Sequence, residues 1–291
     1  AEVVHELEAY ARAEPQQTAT QSTLRSRSKK IPWYSSDRRY CGLPANKSCA
    51  DLKKDLEMAE LSKCAYGKVS CEPKFELVPP KDSVVYLQAD RYDDKGFNAQ
   101  LYRDPRANKY ILVFRGTDNV GDDWTANKQQ SKGKKSRQYG LAIQLARDVR
   151  HLTKGSELEF SGHSLGGGLA TVAAFETAGQ ATVFNAAAVQ SKTADLYNLT
   201  DKYNAPDQHI NHIHTKSDPL TRIQDPSQAG VTLKIQPVPG KTTKITNPDV
   251  TWMNATHQNS AKFIDGFFPV VWHSMSAVIH VLESVIKYNC P

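Results

Sequence analysis

The fold is decided by residues 158–175, which read LEFSGHSLGGGLATVAAF. The apolar residues at its start predict a short buried strand, and the small residues that follow predict a helix over 165–178. Gly162 and Gly166 lie two residues before and two residues after Ser164. A chain that turns sharply from a strand into a helix has no room for side chains at those two positions. The stretch therefore predicts a strand–turn–helix unit with Ser164 at the turn.

The pentapeptide Gly-His-Ser-Leu-Gly at 162–166 has the G-x-S-x-G pattern of a nucleophile elbow. Such a turn projects the serine Oγ from the sheet, and the helix N-terminus behind it favours developing negative charge. The alternative interpretation is an ordinary glycine-rich loop. The predicted strand and helix on either side favour the catalytic interpretation, so we predict Ser164 as a nucleophile.

Strands and helices are also predicted on both sides of this unit. Apolar residues at helical spacing predict helices at 49–66 and 136–152, and a C-terminal helix that Ser274 caps. The segment 237–256 is rich in Pro, Thr, Lys and Asn and predicts a loop insertion. Apolar runs bounded by turn residues predict strands at 75–78, 84–89, 98–102, 109–114, 182–184, 209–214 and 231–238.

This order of elements predicts an α/β fold. Turn residues separate the first four strands, which indicates an antiparallel meander leading into the sheet. Later strands alternate with helices, which is typical of a mainly parallel central sheet flanked by helices. With the elbow, the pattern predicts the α/β-hydrolase fold. We expect residues 1–40 to form an N-terminal arm, since much of that stretch lacks hydrophobic residues, and residues 41–291 to form one catalytic domain.

A serine nucleophile needs a histidine base, and the base needs a carboxylate that orients it. In this fold the carboxylate follows the serine along the chain and lies just beyond the carboxyl end of a strand. Asp218 fits this requirement, because the strand predicted at 209–214 ends shortly before it. Asp225 is the alternative, whereas Asp207 precedes that strand and would emerge at its wrong end.

The base must come later in the chain, which leaves His257, His273 and His280. His273 lies directly before the predicted C-terminal helix, where a loop can hold it above the sheet. His280 lies within that helix beside its apolar face, which indicates a structural histidine, and His257 lies in the predicted insertion. We therefore predict His273 as the base and keep His257 as the alternative.

The oxyanion of an acyl-transfer reaction needs two backbone N–H donors. One comes from the residue after the nucleophile, which is Leu165. The other comes from an earlier loop, and the loop after Phe114 is the candidate, with the Thr117 N–H as the donor.

Several motifs together resemble the class 3 lipase family. They cover about residues 50–288 and imply a catalytic triad of Ser164, Asp218 and His273, with Thr117 and Leu165 at the oxyanion hole. In that family the segment after the Arg-Gly-Ser/Thr motif often forms an apolar lid, whereas 118–135 is polar and basic here. The motifs are Ala59-Glu-Leu-Ser-Lys-Cys-Ala-Tyr66, Val113-Phe-Arg-Gly-Thr117 with Trp124, Gly162-His-Ser-Leu-Gly-Gly167, Ser217-Asp-Pro219 and the late His273.

The chain carries a net charge of +6, and its basic residues cluster at 25–30, 38–39 and 128–137. Such clusters can be plain solvated surface, or they can attract anionic lipid head groups. No nucleic-acid-binding motif accompanies them, so we expect no nucleic-acid partner. The polar segment after Thr117 and the basic charge favour a phospholipid at a membrane surface as the substrate.

Five cysteines are present, at positions 41, 49, 64, 71 and 290. Their spacing permits two local disulfides, Cys41–Cys49 and Cys64–Cys71, with Cys290 as an odd thiol or a long-range partner. Disulfides favour a secreted or periplasmic location. Reduced cysteines in a cytosolic protein are the alternative.

No metal or cofactor is predicted. His209, His212 and His214 lie close together in sequence, and the last two share a strand face, but no carboxylate or cysteine completes a ligand set. Polar positions on a strand explain them without a metal.

The sequence thus predicts a serine hydrolase that cleaves carboxylic esters of lipids, with a phospholipase A-type activity favoured. A triacylglycerol lipase, a short-chain esterase or thioesterase, and a lipid-binding pseudoenzyme are the alternatives. The resemblance also extends to the lipase toxins that bacteria inject into the periplasm of competitors, and it implies an inhibitory immunity protein as a partner.

Overall fold

The computed structural model of the chain describes residues 44–67, 74–79, 96–116, 136–215, 218–224, 240–245 and 273–291. Within these residues seven strands form one sheet, and their order in the sheet follows their order in the chain. The strands are β1 (Glu76–Leu77), β2 (Ala99–Asp104), β3 (Lys109–Phe114), β4 (Glu157–His163), β5 (Gln180–Phe184), β6 (Ile210–Thr215) and β7 (Lys241–Ile245).

The sheet changes from antiparallel to parallel at β3. β1, β2 and β3 form an antiparallel meander, and β3 to β7 run parallel to one another. In the β3–β4 register Phe114 lies opposite Gly162, so β3 ends beside the turn that follows β4. The predicted meander and the mainly parallel sheet are both confirmed. The strands predicted at 84–89 and 231–238 lie outside the described residues.

Helices cover both faces of the sheet. On one face α2 and α3 pack against a core that contains Phe114 and Phe160, and on the other α1 and α7 pack against Ile111 and Ile213. Among the described residues, none of the helices is both long and apolar enough to cross a bilayer. The helices are α1 (Cys49–Cys64), α2 (Arg137–Leu152), α3 (Leu165–Thr177), α4 (Ser191–Leu196), α5 (Thr200–Asn204), α6 (Pro219–Gln224) and α7 (Met275–Asn289).

Hydrogen-bonded caps fix the starts of the two helices on the α1–α7 face. Ser48 and Asp51 form a reciprocal capping box at α1, in which each side chain accepts from the other residue's backbone N–H. The Ser274 hydroxyl accepts from the Ala277 N–H at the start of α7, as the sequence predicts. The cap at Ser274 also fixes where the chain leaves His273.

The prediction of a loop insertion at 237–256 is wrong for residues 241–245. These residues form β7, which pairs in parallel with β6 and buries Thr243 and Ile245. Backbone pairing with β6 supplies the stability that the polar composition does not indicate. The division into an arm at 1–40 and a domain at 41–291 stays a prediction, because residues 1–43 lie outside the described residues.

A disulfide joins Cys49, at the start of α1, to Cys290, just beyond the end of α7. The predicted Cys41–Cys49 pair is therefore wrong, and of the two predictions for Cys290 the long-range partner is confirmed. Cys64 is also disulfide-bonded, and its partner must be Cys41 or Cys71, so the pair Cys64–Cys71 stays a prediction. A cross-link across a long loop typically stabilises the folded state by about 2–5 kcal/mol.

Candidate active site

Ser164 lies at the turn between β4 and α3 in a strained backbone conformation. Its φ is 57° and its ψ is −126°, a region that a non-glycine residue avoids at a cost of about 1–3 kcal/mol. Four hydrogen bonds hold the turn: the Ser164 N–H donates to the Phe184 carbonyl at 3.1 Å, and the Ser164 carbonyl accepts from the amides of Gly167 at 3.0 Å, Gly168 at 3.4 Å and Ala187 at 2.9 Å. The strain persists because the neighbouring strand and its loop determine the turn.

The two glycines around Ser164 are required by close backbone contacts. A Cβ on Gly162 would collide with the Gly166 carbonyl, and a Cβ on Gly166 would collide with the Phe114 carbonyl. Gly116 also lies against the turn, since a Cβ there would be 2.6 Å from the His163 carbonyl oxygen. The elbow predicted from the sequence is therefore present, and the end of β3 packs directly beside it.

The structure brings Asp218 and His273 together. Asp218 follows β6 and His273 precedes α7, and the His273 Nδ1 lies 2.7 Å from the Asp218 Oδ1. The second carboxylate oxygen accepts hydrogen bonds from the Thr221 N–H at 2.7 Å and from the Thr221 hydroxyl. Both Asp218 and His273 are buried. His280, which the sequence indicates to be structural, is exposed on α7.

His273 also contacts the elbow. Its ring centroid lies 4.6 Å from that of His163, the residue directly before Ser164. The two alternatives that the sequence leaves open, Asp225 and His257, lie outside the described residues. Among those described, the Asp218–His273 pair is therefore the acid–base pair that lies against the elbow.

Burial sets the protonation of this pair. It lowers the pKa of His273 below its ordinary value of 6.5, because the charged imidazolium loses its hydration. Burial also raises the pKa of Asp218, and the hydrogen bonds from Thr221 oppose that rise. A neutral His273 that donates its Nδ1–H to Asp218 carries its lone pair on Nε2. The pair can therefore take a proton at Nε2 and can stabilise the imidazolium that forms.

The lowered pKa of His273 predicts how activity depends on pH. The base must be neutral to accept a proton, so kcat/KM should fall as the pH drops through the pKa of His273. Burial lowers that pKa, and the hydrogen bonds from His273 and Thr221 favour the ionised form of Asp218, so we expect the acidic limb of the profile to lie below pH 6.5. His163 is neutral in that range, since burial lowers its pKa to about 4. A kcat/KM profile with an ester substrate tests this, and a limb above pH 6.5 would contradict it.

The predicted oxyanion donors are only partly within the described residues. Leu165 is the first residue of α3, and a first helical N–H has no carbonyl one turn earlier to which it can donate. It is therefore available to an anion beside Ser164. Thr117 lies outside the described residues, but a Cβ on its neighbour Gly116 would lie 3.3 Å from the Ser164 Cβ, so the chain before Thr117 passes close to the nucleophile. The role of Thr117 stays a prediction.

Three residues near the pair were not predicted from the sequence. The Tyr66 hydroxyl binds the His163 Nδ1 at 2.7 Å, and the His163 Nε2 binds the His273 carbonyl at 2.6 Å. The Asn185 side-chain amide donates to the same carbonyl at 3.0 Å. Tyr66 and His163 lie in the motifs quoted above, and Asn185 directly follows β5, but no sequence pattern joins the three.

The histidines considered for a metal do not form a site among the described residues. His209 binds the Gly179 carbonyl through its Nδ1 at 2.8 Å, and His212 and His214 stack at 5.3 Å. Within the described part of the chain, no three side chains of the ligating types form a group that could hold a metal ion.

A polar cavity of about 340 Å³ lies at the opposite end of the sheet, where β4 to β7 begin. Four of its charged side chains form ion pairs: Lys47 contacts Asp55 at 2.8 Å, and Lys54 contacts Glu159 at 2.7 Å. Asn211 also donates to Asp55 at 2.9 Å. The cavity is remote from Ser164, and these contacts explain it as a structural network between α1 and the sheet.

A comparison with known families assigns the chain. The sequence profile of the Tle-like phospholipase domain matches residues 57–265, more than half of the 291 residues. The chain belongs to the Tle-like phospholipase domain family. This match confirms the lipase-like family that the motifs predict, and with the sheet order and the elbow the predicted α/β-hydrolase fold is confirmed as well.

The chain is also similar to a curated phospholipase. Over 133 residues the chain is 35% identical to an extracellular phospholipase A1 of Serratia liquefaciens, and this covers 45% of the chain and 40% of the relative. The chain thus spans less than half the length of the curated relative that it matches.

Solved lipase structures are also similar. A triacylglycerol lipase from Penicillium expansum is 17% identical, with a TM-score of 0.46 and coverage of 69% of this chain and 82% of that one. Lip2 lipase from Yarrowia lipolytica is 13% identical, with a TM-score of 0.42 and coverage of 70% and 81%.

Proposed function

We propose that this family member is a serine hydrolase that cleaves carboxylic esters of phospholipids, with Ser164 as nucleophile, His273 as base and Asp218 as the residue that orients the base. The observation that carries the proposal is the hydrogen-bonded Asp218–His273 pair packed against the elbow of Ser164. A nucleophile, a base and an orienting carboxylate are the parts that acyl transfer needs.

In the proposed reaction the Ser164 Oγ attacks the ester carbonyl carbon while the His273 Nε2 takes the hydroxyl proton. The N–H groups of Leu165 and Thr117 donate to the oxyanion. The tetrahedral intermediate collapses as the C–O bond to the alcohol breaks, and His273 returns its proton to the leaving lysophospholipid oxygen. Water then attacks the acyl-enzyme by the same route and releases the fatty acid. No cofactor enters these steps.

Three observations support a phospholipid substrate. The family is described by a phospholipase domain, and the curated relative is named a phospholipase A1. The chain carries a net charge of +6, which favours approach to a surface of anionic lipid. Peripheral contact with a membrane surface is part of the proposal, because the substrate lies there.

The proposed location is extracytoplasmic. The Cys49–Cys290 disulfide and the bonded Cys64 support it, because disulfides rarely persist in a reducing cytosol. The name of the relative, an extracellular enzyme, points the same way. The inhibitory immunity protein belongs to the same proposal and follows from the resemblance to injected lipase toxins.

Product analysis tests the function directly. The protein is incubated with phosphatidylglycerol–phosphatidylethanolamine liposomes, a triacylglycerol emulsion and a soluble short-chain ester, and the products are identified by mass spectrometry. We expect fatty acid and lysophospholipid from the liposomes, and neither from the Ser164→Ala variant. Release from triacylglycerol alone would favour a lipase, and release from the soluble ester alone an esterase. No product from any of the three would favour a lipid-binding pseudoenzyme.

A further inference from the structure

The backbone carbonyl of His273 accepts two hydrogen bonds from buried side chains. The His163 Nε2 lies 2.6 Å from this oxygen, and the Asn185 Nδ2 lies 3.0 Å from it. Both donors are nearly inaccessible to solvent, with exposed fractions of 3% and 0%. His163 is the last residue of β4 and Asn185 directly follows β5, so two neighbouring strands of the sheet hold the backbone of His273.

The tautomer of His163 follows from its partners. A carbonyl oxygen can only accept, so the Nε2 that contacts it must carry a proton. Burial lowers the pKa of His163 to about 4, so the ring is neutral and its Nδ1 is an acceptor. The Tyr66 hydroxyl, 2.7 Å from this Nδ1, must therefore be the donor in that bond. The hydrogen bond from Tyr66 satisfies Nδ1 in the tautomer that the His273 carbonyl requires.

Asn185 is fixed in a comparable way. Its Oδ1 accepts from the Thr215 N–H at 3.0 Å, which leaves the side-chain NH₂ directed at His273. Its backbone φ is 41°, in the left-handed region that asparagine tolerates better than most residues. Thr215 is the last residue of β6, the strand that leads to Asp218.

From this network we propose that His163 is a positioning residue for His273, and that Tyr66 supports it by donating to its Nδ1. This inference rests on the proposed function, because it assigns a role relative to the proposed base. His163 directly precedes Ser164 in the chain, so a single residue connects the backbone of the nucleophile to the backbone of the base. A shift of the Ser164 backbone would therefore reach the His273 backbone through the hydrogen bond between the His163 Nε2–H and the His273 carbonyl.

The proposed role predicts an effect on turnover more than on substrate binding. His273 is already bound to Asp218 through its ring, so loss of the carbonyl bond should displace the ring without removing it. Displacement of a catalytic group by about 1 Å can lower the rate by about 10²-fold. His163 is buried and lies behind Ser164, so it is not expected to contact the substrate.

A matched pair of substitutions at His163 tests the proposal. In His163→Gln the side-chain NH₂ can replace Nε2–H as a donor, whereas His163→Met has a similar length and cannot donate. We expect His163→Met to lower kcat by about 10²-fold with KM changed less than about 3-fold, and His163→Gln to recover most of kcat. Thermal unfolding of both variants is the control for stability, and Tyr66→Phe should lower kcat in the same direction by a smaller factor.

A second readout does not depend on turnover. The proton of the His273 Nδ1–H in its bond to Asp218 should give a far-downfield NMR signal, identified by its loss in His273→Gln. We expect this signal in the wild type and in His163→Gln, and its loss or broadening in His163→Met. If Ser164→Ala kept full activity, the proposed function would fail, but this signal would still decide whether His163 positions His273.

Two results would overturn the proposal. One is wild-type kcat and an unchanged NMR signal in His163→Met. The other is an equal loss of kcat in His163→Met and His163→Gln. The wild-type kcat would then depend on the shape of the histidine ring and not on its N–H donor. If His163→Met does not fold, His163→Leu, which also lacks a donor, replaces it, and unchanged kcat and NMR signal in that variant would overturn the proposal.

Discussion

Replacing Ser164 with alanine is expected to lower kcat by about 10⁶-fold, the loss typical of removing the nucleophile from a serine hydrolase. Only the hydroxyl group is removed, and alanine keeps the Cβ that the turn already accommodates. The fold should therefore be retained. Stability should change little, because the hydrogen bonds that hold this turn come from the Ser164 backbone.

The measurement is the rate of fatty-acid release from anionic liposomes, with labelling by a fluorophosphonate as a second assay. Ser276→Ala is the matched control, since Ser276 is exposed on α7 and a similar hydroxyl is removed there. We expect full activity and labelling in the control, and neither in Ser164→Ala. Retained turnover in Ser164→Ala with normal thermal unfolding would rule out Ser164 as the nucleophile.

Replacing Asp218 with asparagine is expected to lower kcat by about 10⁴-fold through the tautomer of His273. The N–H and the hydroxyl of Thr221 both need an acceptor where the Asp218 Oδ2 now lies. An asparagine at 218 satisfies them by turning its oxygen toward Thr221, which turns its NH₂ toward His273. The Nδ1 of His273 must then accept, its proton moves to Nε2, and the base is blocked.

This prediction is tested by kcat in Asp218→Asn beside Asp207→Asn. Asp207 is exposed and precedes β6, so its substitution removes the same charge at the other end of that strand. We expect the control to keep wild-type kcat. A second substitution, Thr221→Val, removes the hydroxyl that orients the asparagine and should recover part of the activity of Asp218→Asn. Activity of Asp218→Asn within 10-fold of the wild type would mean that another carboxylate orients His273.

The sequence predicted best those elements whose signals are local. The predicted strand at 109–114 has the bounds observed for β3, and the predicted helix at 136–152 differs from α2 by one residue. The cap at Ser274 was also predicted correctly, because a cap depends on a few neighbouring residues. The short helices α4 and α5, of six and five residues, were not predicted, since such segments carry little periodicity.

Features that depend on distant parts of the chain were predicted less well. The elbow and the position of Asp218 follow from strand order, but the choice of His273 over two other histidines depends on where α7 packs. The partner of Cys49 lies 241 residues away, and local spacing suggested a different one. The contacts of His163 join the ends of α1, β4 and β5 to the start of α7. Because these segments are far apart in sequence, no periodic pattern predicts the contacts.

The Cys49–Cys290 bond closes a covalent ring, and Ser164, Asp218 and His273 all lie inside it. A protease that cuts once anywhere between the two cysteines would open this ring without releasing a fragment. All three residues would stay in one molecule until the bond is reduced. A singly cut protein would run as two pieces on a reducing gel and as one on a non-reducing gel. Activity that remains after a cut between Ser164 and His273 and reduction of the disulfide would show that packing alone keeps nucleophile and base in place.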